Sequence, residues 1–110
     1  MSLPPVRIEE NLRLIAHHTI GEYPNLGEGM AMKVDGDRRY LYLANERSPG
    51  AFSVLDVTEP ANPELLFQTP TEHADVRANS LALHGDLLLV AKQAEKHGLK
   101  PAGFHVYDVS

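Results

Sequence analysis

One seven-residue phrase, F-x-V-x-D-V-[ST], occurs twice in this chain, as "FSVLDVT" from Phe52 and "FHVYDVS" from Phe104, 52 residues apart. A fixed-period repeat means that one supersecondary unit is used more than once, so the period constrains the fold more than any compositional figure. Three further segments recur in the same order. "NLRLIAHHT" (11–19) matches "NPELLFQTP" (62–70), "MKVDGD" (32–37) matches "LALHGD" (81–86), and "LYLA" (41–44) answers "LLVA" (88–91).

Each recurring segment reads as a strand: 5–7 residues, rich in β-branched, Leu or aromatic side chains, and bounded by Gly, Pro, Asp and Asn. The expected strands are A (Met30–Val34, Ser80–His84), B (Tyr40–Ala44, Leu87–Ala91), C (Phe52–Val57, Phe104–Val109) and D (Leu12–His17, Glu64–Gln68). Asp35-Gly36 and Gly85-Asp86 lie between apolar runs and predict tight hairpins, because such turns need a positive φ. Pro60 and Pro63 in "TEPANP" cannot donate to a ladder, so that piece predicts a loop. No segment has a capped 3.6-residue apolar period, which predicts little helix.

Strand C is apolar on both faces, with Phe52 and Val54 on one side and Leu55 and Val57 on the other. Both faces therefore need covering. Four antiparallel strands per repeat of about 50 residues, each sheet sandwiched between others, describe β-propeller blades. The string "GAFSVLDVTEPANPELL" and its partial copy "GFHVYDVS" resemble the LVIVD repeat, an apolar strand ending in D-V-[ST] followed by x-P-x-x-P and a second apolar strand. The resemblance covers roughly residues 28–110, strongest at 50–66. It implies an all-β, propeller-like repeat protein and carries no catalytic residues.

The expected organisation is an N-terminal extension (1–10), an outer strand D (11–18), one complete blade (28–69) and a partial blade of strands A, B and C (74–110). In a closed propeller the orphan D strand would complete the last blade and clasp the termini. Two blades cannot close, since a ring needs roughly four to eight. The expected partners are therefore the remainder of a longer propeller chain or other copies of this one.

A net charge of −5, from 10 Lys and Arg against 15 Asp and Glu, argues against non-specific nucleic-acid binding, which needs clustered cations. Without cysteine there are no disulfides and no thiolate chemistry. No apolar run approaches the ~20 residues of a membrane span, and the N-terminus lacks an apolar signal core. The default expectation is the cytoplasm, with secreted or periplasmic placement open if a leader was trimmed.

Asp56 and Asp108 could be a carboxylate pair. Each closes a strand before Thr or Ser, however, where a carboxylate can accept backbone N–H bonds and fix a turn. His17 and His18 point to opposite sides of any strand, while His84 and His105 sit in a hairpin turn and on strand C. In "EHADVRANS" (72–80), His73, Asp75, Arg77 and Asn79 share a side of an extended chain. No serine sits in a nucleophile-elbow motif, and "GEG" (27–29) opens no helix.

The A–B and C–D links are compact. The polar, irregular segments are D–A (20–29, 70–79) and B–C (45–50, 92–103), which a four-stranded meander places on one end. Binding residues concentrate in such loops, which nominates Glu28, Asn45, Arg47, His73, Asp75, Arg77 and Asn79 as ligand-binding candidates, with no cofactor evident and the metal question open. Two readings follow. One is a non-catalytic scaffold that presents these loops to a protein, glycan or small ligand; the other is a propeller enzyme, hydrolytic or metal-dependent, with its site at the channel mouth.

Overall fold

A computed structural model describes residues 11–21, 26–45, 50–71, 75–94 and 103–110. The described residues are all β, in seven strands: β1 Leu26–Asp35, β2 Arg38–Asn45, β3 Gly50–Asp56, β4 Glu64–Pro70, β5 Val76–His84, β6 Leu87–Ala94 and β7 Gly103–Asp108. They form two antiparallel meanders, β1-β2-β3-β4 and β5-β6-β7. Among the described residues no helix is long and apolar enough to cross a membrane.

The pairing of the second strand with the third repeats in the two sheets. In the first, Ala44 pairs with Phe52, Tyr42 with Val54 and Leu41 with Leu55. In the second, Ala91 pairs with Phe104, Leu89 with Val106 and Leu88 with Tyr107. Both A–B hairpins turn on a glycine with positive φ, Gly36 at 62° and Gly85 at 57°. The first turn is centred on Gly36-Asp37, one residue beyond the expected Asp35-Gly36.

The strands run longer than the repeat alone indicates. β5 starts at Val76, so Arg77 and Asn79 belong to a strand rather than a loop, and Asn45 ends β2. The cause at β5 is a bulge: Ala78 pairs with Lys92 and Ser80 with Ala91, leaving Asn79 as the extra residue. A polar residue in a bulge interrupts the apolar alternation while the ladder continues through it.

The sheets pack face to face. Tyr42, Ala44, Phe52 and Val54 of the first meet Ala78, Leu88 and Val90 of the second, with Tyr107 and Val109 at the margin. The Phe52 and Tyr107 rings meet edge to face at 5.2 Å, a favoured aromatic geometry. Backbone approaches backbone at Gly29, where an added Cβ would lie 2.8 Å from Ser80 Cα and 2.9 Å from Leu81 N.

The opposite face of the first sheet is covered by residues 12–20. Ile20 packs with Leu43 and Leu55, flanked by Leu41, Val57 and Leu65. The Leu12–His17 segment expected as outer strand D belongs to neither sheet. Among the described residues the second sheet thus has three strands, and its far face is open. Phe104 is 66% exposed and Val106 53%, whereas their counterparts Phe52 and Val54 are each 3% exposed. The repeat makes these pairs look equivalent, but coverage separates them.

Candidate functional site

The first residues of β1, β3, β5 and β7 and the last of β2, β4 and β6 lie at one end of the two sheets. The D–A and B–C connections therefore open at that end, and the compact A–B and C–D turns at the other. Of the candidates, Glu28 lies exposed in the irregular start of β1, before the ladder becomes regular at Met30. Asp75 sits half-buried in the turn before β5, and Asn79 is exposed in the bulge. The Arg77 guanidinium donates to Gln93 Oε1 at 3.2 Å, across the β5–β6 ladder. His73 and Arg47 lie outside the described residues. Val76 and Ala78 are buried, Ala78 between the sheets, while Arg77 is not, as strand alternation requires. The bulge falls at Asn79, after Asp75 and Arg77, which alternate with the buried Val76 and Ala78.

Asn45 has a structural engagement. It is fully buried, and its Oδ1 accepts from Ser53 Oγ at 3.0 Å. Gln68 Nε2 donates to Ser53 Oγ at 2.8 Å and to the Ile20 carbonyl at 2.9 Å. This polar chain crosses β2, β3 and β4 and ties residues 12–20 to the first sheet. The sequence carries a faint sign of it, since Ser53 is the polar position in strand C of an otherwise apolar "AFSVL" run.

The opposite end bears out the turn reading of the aspartates. Asp56 Oδ1 accepts the Thr58 N–H at 2.9 Å, and Asp108 Oδ1 accepts the Ser110 N–H at 2.9 Å. Hydrogen bonds from the Thr58 hydroxyl and N–H, helped by the Arg38 charge, hold the Asp56 carboxyl below its usual range. Bonds from the Ser110 N–H and hydroxyl lower Asp108 in the same way. The two carboxylates hold equivalent turns of separate sheets and are not a dyad.

Lys33 lies between Met32 and Val34, a lone cation in an apolar run. It is buried, reaches Asp86 of the second sheet's hairpin at 2.9 Å and donates to the Val109 carbonyl. The Asp86 carboxylate raises its pKa above the ordinary lysine value against the opposing pull of burial. Nearby, burial pushes the Tyr42 phenol up, so it stays neutral. A cleft of about 310 Å³ between Lys33, Tyr40, Tyr42, Phe67 and Asp108 opens at this end.

A larger cavity of about 730 Å³ lies under residues 12–20. Leu12, Ile15, Met32, Leu41, Leu43 and Leu55 line it, with His17, His18 and Arg39 among the polar groups. No group of three or more metal-ligating His, Asp or Glu side chains occurs among the described residues. Compared with models of known families, with curated proteins and with solved structures, the chain matches none.

Proposed function

We propose that this chain is a non-catalytic binding module of β-propeller type, related to the LVIVD repeat, whose D–A and B–C loop end receives a protein, glycan or small ligand. One observation carries the reading. Two sheets that share the β2–β3 and β6–β7 register stack face to face with β1 lying along β5, as the innermost strands of consecutive blades do. In that arrangement a stack of sheets holds the D–A and B–C loops at one end, the usual division between scaffold and recognition surface. Glu28, Asp75 and Asn79 are the described polar groups best placed there. Fold alone does not specify a ligand.

The test is a glycan array and a small-molecule thermal-shift screen on the purified chain. A ligand whose binding is lost in Asp75→Ala and Asn79→Ala, but kept in Arg38→Ala at the opposite end, supports the reading. Elemental mass spectrometry provides the counter-test. A stoichiometric transition metal, together with hydrolytic turnover lost on chelation, would replace the scaffold with an enzyme.

A further inference from the structure

The chain carries both halves of its own sheet-to-sheet interface a second time, uncovered by any second sheet among the described residues. Inside the molecule, the face bearing Tyr42, Ala44, Phe52 and Val54 packs onto the face bearing Leu88, Val90 and Tyr107. By the shared register, the second sheet's copy of the first face is Leu89, Ala91, Phe104 and Val106. Phe104 and Val106 there are exposed, as is Leu87 beside them. The first sheet's copy of the other face is Leu41, Leu43 and Leu55, met by residues 12–20 over the large cavity. An apolar donor face and its acceptor thus lie on opposite flanks of one chain.

A second observation concerns the strand edges. β7 ends its sheet, so one side of it has no ladder partner within the second sheet. Residues 11–19 repeat 62–70, which contain β4, yet they form no strand. Their folded-back path requires Ile20 to adopt a φ of 62°, a conformation that strains a β-branched residue.

We propose that a second copy of this chain docks head to tail on the Leu89–Phe104–Val106 face through its own Leu41–Leu43–Leu55 face. In the same step its residues 12–18 leave that face and add to β7 as the fourth strand. Because Val54 pairs with Phe67 in the first sheet, the repeat places Ala16 of the incoming copy opposite Val106. The contact is heterologous, so it propagates around a ring or along a filament. The apolar groove, the bare edge and the strained Ile20 are all resolved by one exchange. This inference rests on the repeated register and stands or falls separately from ligand binding at the loop end.

The chain has no cysteine, which makes directed cross-linking clean. Ala16→Cys and Val106→Cys chains, mixed and oxidised, should give a disulfide-linked pair of twice the chain mass, which neither variant gives alone. Directly opposed strand residues are about 5 Å apart, within disulfide reach. Light scattering on the native chain at tens of micromolar should give a multiple of 12.1 kDa. Val106→Arg should reduce it to one chain mass with an unchanged far-ultraviolet spectrum. A folded native monomer would assign the face to another occupant and overturn the proposal. So would an oligomer that shows no cross-link in the mixture, including one in which Val106→Arg fails to fold.

Discussion

Gly29→Ala tests the packing of one sheet on the other with a single methyl group. The new Cβ would lie 2.8 Å from Ser80 Cα, 2.9 Å from Leu81 N and 2.9 Å from Ala44 Cβ. Carbon atoms in contact prefer about 3.5–4.0 Å, so β1 and β5 must separate by roughly 0.7 Å or more. Two of the three neighbours are backbone atoms of β5, held by its ladder to β6, and cannot swing aside as a side chain could. A gap of that size forfeits roughly a quarter to a half of the local dispersion energy. The expected loss is therefore near the top of the overpacking range, about 3 kcal/mol.

For a chain of this length that corresponds to a fall in Tm of roughly 10–20 °C. Gly85→Ala is the control: its φ is 57°, but nothing lies within 4 Å of the added Cβ. Only left-handed strain acts there, about 1–2 kcal/mol. Thermal melts by circular dichroism, at one fixed protein concentration because assembly shifts Tm, rank the two. A Gly29→Ala protein melting within about 2 °C of native, or above Gly85→Ala, would refute the close approach of β1 and β5.

Val54→Asp puts an unpaired carboxylate between the sheets and should abolish cooperative unfolding, since such burial costs several kcal/mol. Ser53→Ala removes the hydroxyl that joins Asn45 to Gln68 and should lower stability by about 1–3 kcal/mol in denaturant titration. The carboxyls of Asp56 and Asp108 are lowered in the folded state, so their contribution is complete above the ordinary carboxylate pKa and disappears as pH falls through the depressed values. Asp56→Asn/Asp108→Asn should accordingly flatten the acid limb of a Tm–pH profile; an unchanged limb would contradict the turn role. Lys33 has the opposite sign: its pKa is raised, so its contribution is intact below 10.5 and is lost as pH climbs through the higher folded value. Asp86→Asn should shrink that alkaline loss.

Much of the scaffold was legible because local chemistry specifies it. The Gly-Asp turns, the prolines of "TEPANP" and the β-branched runs place all seven described strand cores close to their sequence positions, and only the eighth expected strand, Leu12–His17, does not form. The Asp56 and Asp108 turn bonds follow from a carboxylate two residues before an N–H donor. Bulges were not legible, because nothing in "RANSL" marks Asn79 as the residue left over when β5 pairs with β6. For the same reason residues 76–79, expected in the D–A loop, are the start of β5. Lys33 was hidden in a different manner: its partners Asp86 and Val109 are set by how the sheets stack, which no single repeat encodes.

The repeat also misleads where coverage, rather than register, decides burial. Val54 and Val106 occupy the same site in the two sheets, and the sequence predicts that an aspartate at either one unfolds the protein. With Val106 53% exposed, however, an aspartate there keeps most of its hydration in the single chain. The substitution should leave the fold of an isolated chain intact, and its effect should appear only where another surface covers the site. Val106→Asp is therefore expected to lower stability steeply at high protein concentration, relative to native, and hardly at all in the dilute limit where both are monomers. Denaturant midpoints measured across a hundredfold range of concentration separate the two regimes. A large, concentration-independent loss would mean that Val106 is buried within its own chain, and the open far face of the second sheet would have to be redrawn.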